Sequence, residues 1–295
     1  MRGPVKSIVM LLTFGLAGAA GCGGDEAPEP PTTGKEMPKV GDPGPVHVHG
    51  LGVNPRDGAL FVATHTGLFR APPGERKSER VADRYQDTMG FTVVGPDRFL
   101  GSGHPDGRDG LPPFLGLLES RDAGKTWKPL SLQGDVDFHV LEASGRRIYG
   151  FGSNFDTREV TMLVSSDGGR GWEERSPPEV LIDLAIDPSD PDRAVAAGER
   201  ALYMTNDTGR TWKPVGGDSG LLAWPADDAL YVAAADGGVR RSRDGGGSFE
   251  DVGEVRGQPA AVQGETGDEL YVALHDGVIK QSTDGGVRWT VRSRP

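Results

Sequence analysis

Six histidines and one methionine are the residues of this chain whose types and spacing suit chemistry. The histidines are His47, His49, His65, His104, His139 and His275. His47 and His49 form a His-x-His pair, and alternation along a strand predicts both side chains on one face. The single cysteine, Cys22, lies close to the N-terminus, so the remainder of the chain has neither disulfide nor thiol chemistry. Imidazole donors joined by the Met89 thioether and by carboxylates suit a copper or zinc ion. The same imidazoles suit proton transfer or a small polar ligand. For any one histidine, hydrogen bonding to its neighbours is the competing structural account. His104 lies in the segment GHPDGRDGLPP (residues 103–113), which adds Asp106 and Asp109. Its length and its glycine and proline content suit a rim loop.

A repeated turn pattern supplies the scaffold that must position these residues. Ser/Thr-x-Asp-x-Gly-x-x-Trp/Phe occurs five times, beginning at Ser120, Ser165, Thr205, Ser242 and Ser282. The intervals of 45, 40, 37 and 40 residues match the period of a four-stranded propeller blade. In such a turn the hydroxyl and the Asp carboxylate bind backbone amides, and glycine supplies positive φ. The terminal aromatic is expected to start the next strand and pack into its own blade.

This pattern resembles the Asp-box (BNR) repeat of sialidases and related propellers, over about residues 46–295. The resemblance implies an all-β, six-bladed β-propeller. The blades are expected at residues 46–82, 84–130, 134–176, 178–215, 220–255 and 257–294, the first having lost its box. The box aspartates and tryptophans then read as turn and core residues rather than catalytic ones. Segments 87–104 and 137–154 align without gaps, placing Met89 opposite His139, and both match His49. His65, His104 and His275 end the second strands of blades 1, 2 and 6, where other blades offer Ser153 or Asn154, Glu199 and Asp236. All six histidines and Met89 are therefore expected at one mouth of the central channel. Asp106, Glu199 and Asp236 join them as candidate ligand-binding carboxylates.

The N-terminus reads as an export signal. Arg2 and Lys6 precede an apolar stretch that ends Ala19-Ala20-Gly21-Cys22. This resembles a bacterial lipobox, which implies a lipoprotein signal segment over residues 1–22, lipidation at Cys22 and an extracytoplasmic, membrane-anchored protein. Residues 23–45 are rich in glycine, proline and acid and suit a flexible tether. A net charge of -11 without a basic run argues against nucleic-acid partners.

Three functions follow from these residues. One is a tethered protein that binds a metal ion or small polar ligand at the channel mouth. It is similar to exported "glycosylhydrolase-like" propellers that begin with His-x-His-Gly-Leu, as residues 47–51 do here. A second is a glycoside hydrolase of the sialidase kind, for which the Arg-Ile-Pro motif and a Tyr/Glu nucleophile pair are not found; Glu199 and Asp236 remain as a two-carboxylate pair. The third is a protein-interaction or assembly scaffold like the Asp-box propellers that act as photosystem assembly factors.

Overall fold

The computed structural model describes residues 42–154 and 159–295. The signal segment with Cys22, and residues 23–41 of the tether, lie outside the described residues. Six four-stranded antiparallel sheets, each built from consecutive strands, form a six-bladed β-propeller. The innermost strands are Val48–Val53, Asp87–Gly95, Asp137–Ser144, Leu181–Ile186, Leu221–Ala226 and Pro259–Gly264. Each contacts the next in chain order, and the first contacts the last, which closes the ring. Second strands such as Leu60–Thr64 and Leu270–Leu274 are buried throughout, because each sheet packs between two neighbours.

Blade 1 and blade 6 are each complete from contiguous chain, so no strand is exchanged at the closure. Arg292 instead reaches across, donating to the backbone carbonyls of Ala71, Pro72 and Glu75. Residues 42–45, which composition assigns to the tether, are fastened to blade 1. Asp42 accepts from Arg80 Nε at 3.0 Å, and Thr66 Oγ1 donates to Gly44 O at 2.6 Å.

The repeated turn joins the third and fourth strands of each of blades 2 to 6. In blade 4, Thr205 Oγ1 donates to Asp207 Oδ1 at 2.8 Å and accepts from Gly209 N–H at 2.9 Å. Asp207 also accepts from the amide and hydroxyl of Thr211 at 2.8 and 2.6 Å. The Thr211 hydrogen bonds hold the Asp207 carboxyl at about 2. A depressed carboxyl of this kind stabilises the turn above about pH 4 and ceases to do so as pH falls through its folded value. Glycine is required inside the turn for two reasons. Gly169 has φ +85°, and a Cβ there would lie 2.2 Å from Leu117 of the preceding blade.

The box aromatics do not pack into their own blades alone. Every apolar cluster spans two adjacent blades, and Trp127, for example, packs with Phe61, Leu68, Phe91 and Phe99 across blades 1 and 2. Trp172 lies 5.3 Å from the Phe138 ring in the cluster between blades 2 and 3. These residues therefore join blades to one another.

Candidate metal and ligand site at the channel mouth

The innermost strands are not regular. Register shifts place His49 between Val48 and Gly50, His139 between Phe138 and Val140, Ile182 between Leu181 and Asp183, and Ala260 between Pro259 and Ala261. In blade 2 the shift covers Met89 and Gly90. A bulge re-aims the side chain it carries. His49, Met89 and His139 are thus the same bulge position in three successive blades. His47 precedes the first strand and has φ +52°, a left-handed conformation unusual for a residue with a Cβ. The two histidines of the pair share a cavity, but a left-handed turn and a bulge bring them there. Simple strand alternation does not account for it.

That cavity, of about 400 Å³, is lined by His47, Val48, His49, Met89, His139, Ala260 and His275. His65 and His104 join the group through two aspartates that sequence reasoning passed over, Asp87 and Asp137. His65 Nδ1 lies 2.7 Å from Asp87 Oδ2, and His49 Nε2 lies 3.5 Å from Asp87 Oδ1. His104 Nε2 and His139 Nε2 lie 3.3 and 3.0 Å from Asp137 Oδ2. Both aspartates are buried, at 8% and 2% exposure. The hydrogen bond to Asp137 raises the His139 pKa above its ordinary value, against the opposing effect of burial. A signal for these aspartates was present: each stands first in the gap-free segments 87–104 and 137–154, two residues before Met89 and His139.

The three candidate carboxylates lie elsewhere. Asp106 is buried in the rim loop, where it accepts from Tyr85 N–H at 2.9 Å and pairs with Arg108. The Arg108 hydrogen bonds hold its carboxyl far below the usual range. Asp109 pairs with Arg84 at 2.7 Å. Asp236 is exposed and accepts from Gly238 N–H at 2.9 Å, which makes it a turn former. Glu199 is exposed in a bend. None of the three lines the mouth cavity.

Below the mouth the channel narrows to a space of about 100 Å³ lined by His49, Met89, His139, Glu142, Asp183 and Gln263, among others. Burial, reinforced by the charge of Asp183, pushes the Glu142 carboxyl well above its ordinary value. Burial raises Asp183 to about 7, although it accepts from the Leu222 and Leu184 amides. A carboxyl raised on folding stabilises the fold fully below its unfolded pKa, and that contribution is lost as pH rises through the folded value. Glu142→Gln is therefore expected to raise the melting temperature at pH 8 and to change it less at pH 5. Thermal melts at both pH values check this, and an equal loss of stability at both would show that Glu142 has an essential packing role instead.

No protein-family profile matches the chain. A stretch of 102 residues, 32% of this chain, is 26% identical to the human (Homo sapiens) VPS10 domain-containing receptor SorCS2. The match spans 9% of that receptor's length. Among solved structures, a luciferin-regenerating enzyme superposes with a TM-score of 0.60 at 13% identity, covering 86% of this chain and 95% of that one. The GH74 xyloglucanase from Xanthomonas campestris gives 0.53 at 18% identity over 84% of this chain and 45% of that one. YCF48 from Cyanidioschyzon merolae gives 0.50 at 13% identity, covering 84% and 85%. At these identities the likeness is one of fold, and a fold hosts many functions.

Proposed function

We propose that this chain is a membrane-tethered, extracytoplasmic propeller that binds a copper or zinc ion at its channel mouth through His49, His65 and Asp87. One observation carries the reading. The ligand atoms of these three residues lie within 4.8 Å of one another, close enough to share an ion. His49 Nε2 and Asp87 Oδ1 are also buried without a hydrogen-bond partner, which bound metal would relieve. Two imidazoles and a carboxylate form a borderline donor set of the kind zinc and copper(II) accept. Three protein ligands leave a coordination position free for water or a small polar molecule from the adjoining cavity. His47, whose ring lies 6.2 Å from that of His65, stands beside it.

The test is direct. Chelator-stripped protein is equilibrated with Zn(II) or Cu(II), desalted, and its metal content measured. Retention of at least one ion per chain is expected, and retention of none overturns the reading. The tether rests on the lone Cys22 after a short apolar segment. Cys22→Ser is expected to move the protein from the membrane pellet to the soluble fraction of fractionated cells. Continued pelleting of that variant defeats the lipid-anchor part of the reading while leaving the metal site standing.

A further inference from the structure

We infer that a cavity between blade 6 and blade 1, on the face opposite the mouth, binds an acidic turn of a partner polypeptide. The cavity exists because blade 1 lacks the box. Elsewhere each box turn also fills the junction with the preceding blade. A Cβ on Gly124 would lie 2.3 Å from Leu68 of blade 1, and one on Gly246 3.2 Å from Met204 of blade 4. A Cβ on Gly285 would lie 3.1 Å from the Tyr231 hydroxyl of blade 5. The preceding blade also donates to carbonyls of the turn. Ser131 Oγ donates to Gly169 O at 2.6 Å, Arg175 Nε to Thr208 O at 3.0 Å, and Arg193 Nη2 to Gly245 O at 2.8 Å. In blade 1 the third and fourth strands are joined through Pro72-Pro73-Gly74 instead, so its junction with blade 6 has no such filling.

What remains there is a cavity of about 430 Å³, within the range usual for small-ligand sites. Glu269, Tyr271, Gln281 and Arg292 line it from blade 6, and Pro73 and Arg76 from blade 1. Tyr271 and Gln281 stand at the positions of Tyr231 and Arg241, the pair on which Gly285 sits one junction earlier. With no turn over them they bond to their own blade. Tyr271 Oη donates to Glu269 Oε1 at 2.7 Å, and Gln281 Nε2 donates to the same oxygen at 2.8 Å. Arg292 is committed to the carbonyls of Ala71, Pro72 and Glu75. Arg76 is exposed, and its guanidinium has no hydrogen bond or ion pair among the described residues.

These groups define the occupant. In the other five junctions the same place holds a peptide turn bearing a carboxylate and accepting carbonyls, and the free Arg76 calls for such an acceptor. Both hydrogen bonds to Glu269 end on Oε1, which leaves Oε2 to accept from a backbone amide of the partner. Charge agrees. Arg76, Lys77, Arg292 and Arg294 outnumber Glu75, Glu79 and Glu269 at this seam, although the chain carries a net charge of -11. A box-like turn supplied by another polypeptide therefore fits where blade 1 supplies none. This inference stands apart from the mouth and does not rest on the metal site.

A test uses the full chain and a capped, fluorescently labelled peptide with the sequence of residues 165–172, SSDGGRGW. Fluorescence anisotropy is expected to show saturable binding at millimolar protein or below. Arg76→Glu is expected to weaken it about tenfold or more, the loss of one charge-assisted hydrogen bond. The same peptide with Asn in place of Asp167 should be weakened alike, and Pro73→Trp, which fills the cavity, should abolish binding. Arg76 is exposed, so Arg76→Glu should keep the wild-type melting temperature, which separates lost binding from lost fold. Absence of saturable binding, or equal binding by wild type and Arg76→Glu, overturns the proposal. So does binding of N-acetylaspartate amide as tight as that of the peptide, which would make the site one for small carboxylates. Self-association of the chain that Arg76→Glu abolishes would assign the cavity to a second copy and also overturn it.

Discussion

Asp87→Ala is expected to weaken Zn(II) binding at the mouth by more than about 100-fold, since loss of a residue that only orients a metal ligand already costs about 10–100-fold. Asp87 is the carboxylate that stands between His49 and His65, 3.5 and 2.7 Å from them. Without it two neutral imidazoles remain, and they do not neutralise a divalent charge. The fold should tolerate the change, because the side-chain contacts of Asp87 are with the mouth histidines His49 and His65 and not with the apolar clusters between blades. Competitive titration measures the affinity, with Asp236→Ala as a control in which only an exposed turn is altered. In the wild type, protons compete with metal for imidazole nitrogen. Affinity is therefore expected to fall as pH drops below about 6.5, the ordinary range of histidine. Unchanged affinity in Asp87→Ala would falsify the assignment of this ligand.

Phe99→Ala is expected to destabilise the propeller by about 3–5 kcal/mol, the range for removing a large buried aromatic. Phe99 is fully buried, and its ring lies 4.7 Å from Phe61 of blade 1 and 5.6 Å from Phe91 of blade 2. Truncation opens a void at the junction between two blades. Neither rigid sheet can close it without breaking the ring. Trp212, which is only partly buried in the cluster between blades 3 and 4, should have a smaller effect on truncation. Denaturant unfolding measures both, and a loss below about 1 kcal/mol at Phe99 would show that the blades are held mainly by their backbone hydrogen bonds. Metal binding by Phe99→Ala molecules that remain folded should persist, since Phe99 lines neither the mouth cavity nor the narrow channel.

The six blades and their turns were legible in the chain because their determinants are local. Ser120 and Asp122, or Thr205 and Asp207, bind amides no more than four residues ahead, so the spacing alone specifies the turn. Repeat alignment likewise placed His49, Met89 and His139 at equivalent positions, because one blade's pattern is copied into the next. Blade count, box turns and the placing of histidines near strand ends thus follow from local pattern. Other features were decided only when the sheets met. Bulges depend on the register between two strands, so alternation gave the wrong reason for the shared cavity of His47 and His49. Asp87 and Asp137 acquire their meaning from histidines of the preceding blade, 22 and 33 positions away in the cases of His65 and His104. Asp106 looked free beside His104, yet Arg108 and the Tyr85 amide occupy it. The box aromatics crossed to the neighbouring sheet, and Glu142 became a channel carboxyl, because side-chain surroundings in a propeller come mainly from the adjacent blade. Turn chemistry acts within a few residues and can be read in one dimension, whereas the contacts that shape this mouth exist only once the ring has closed.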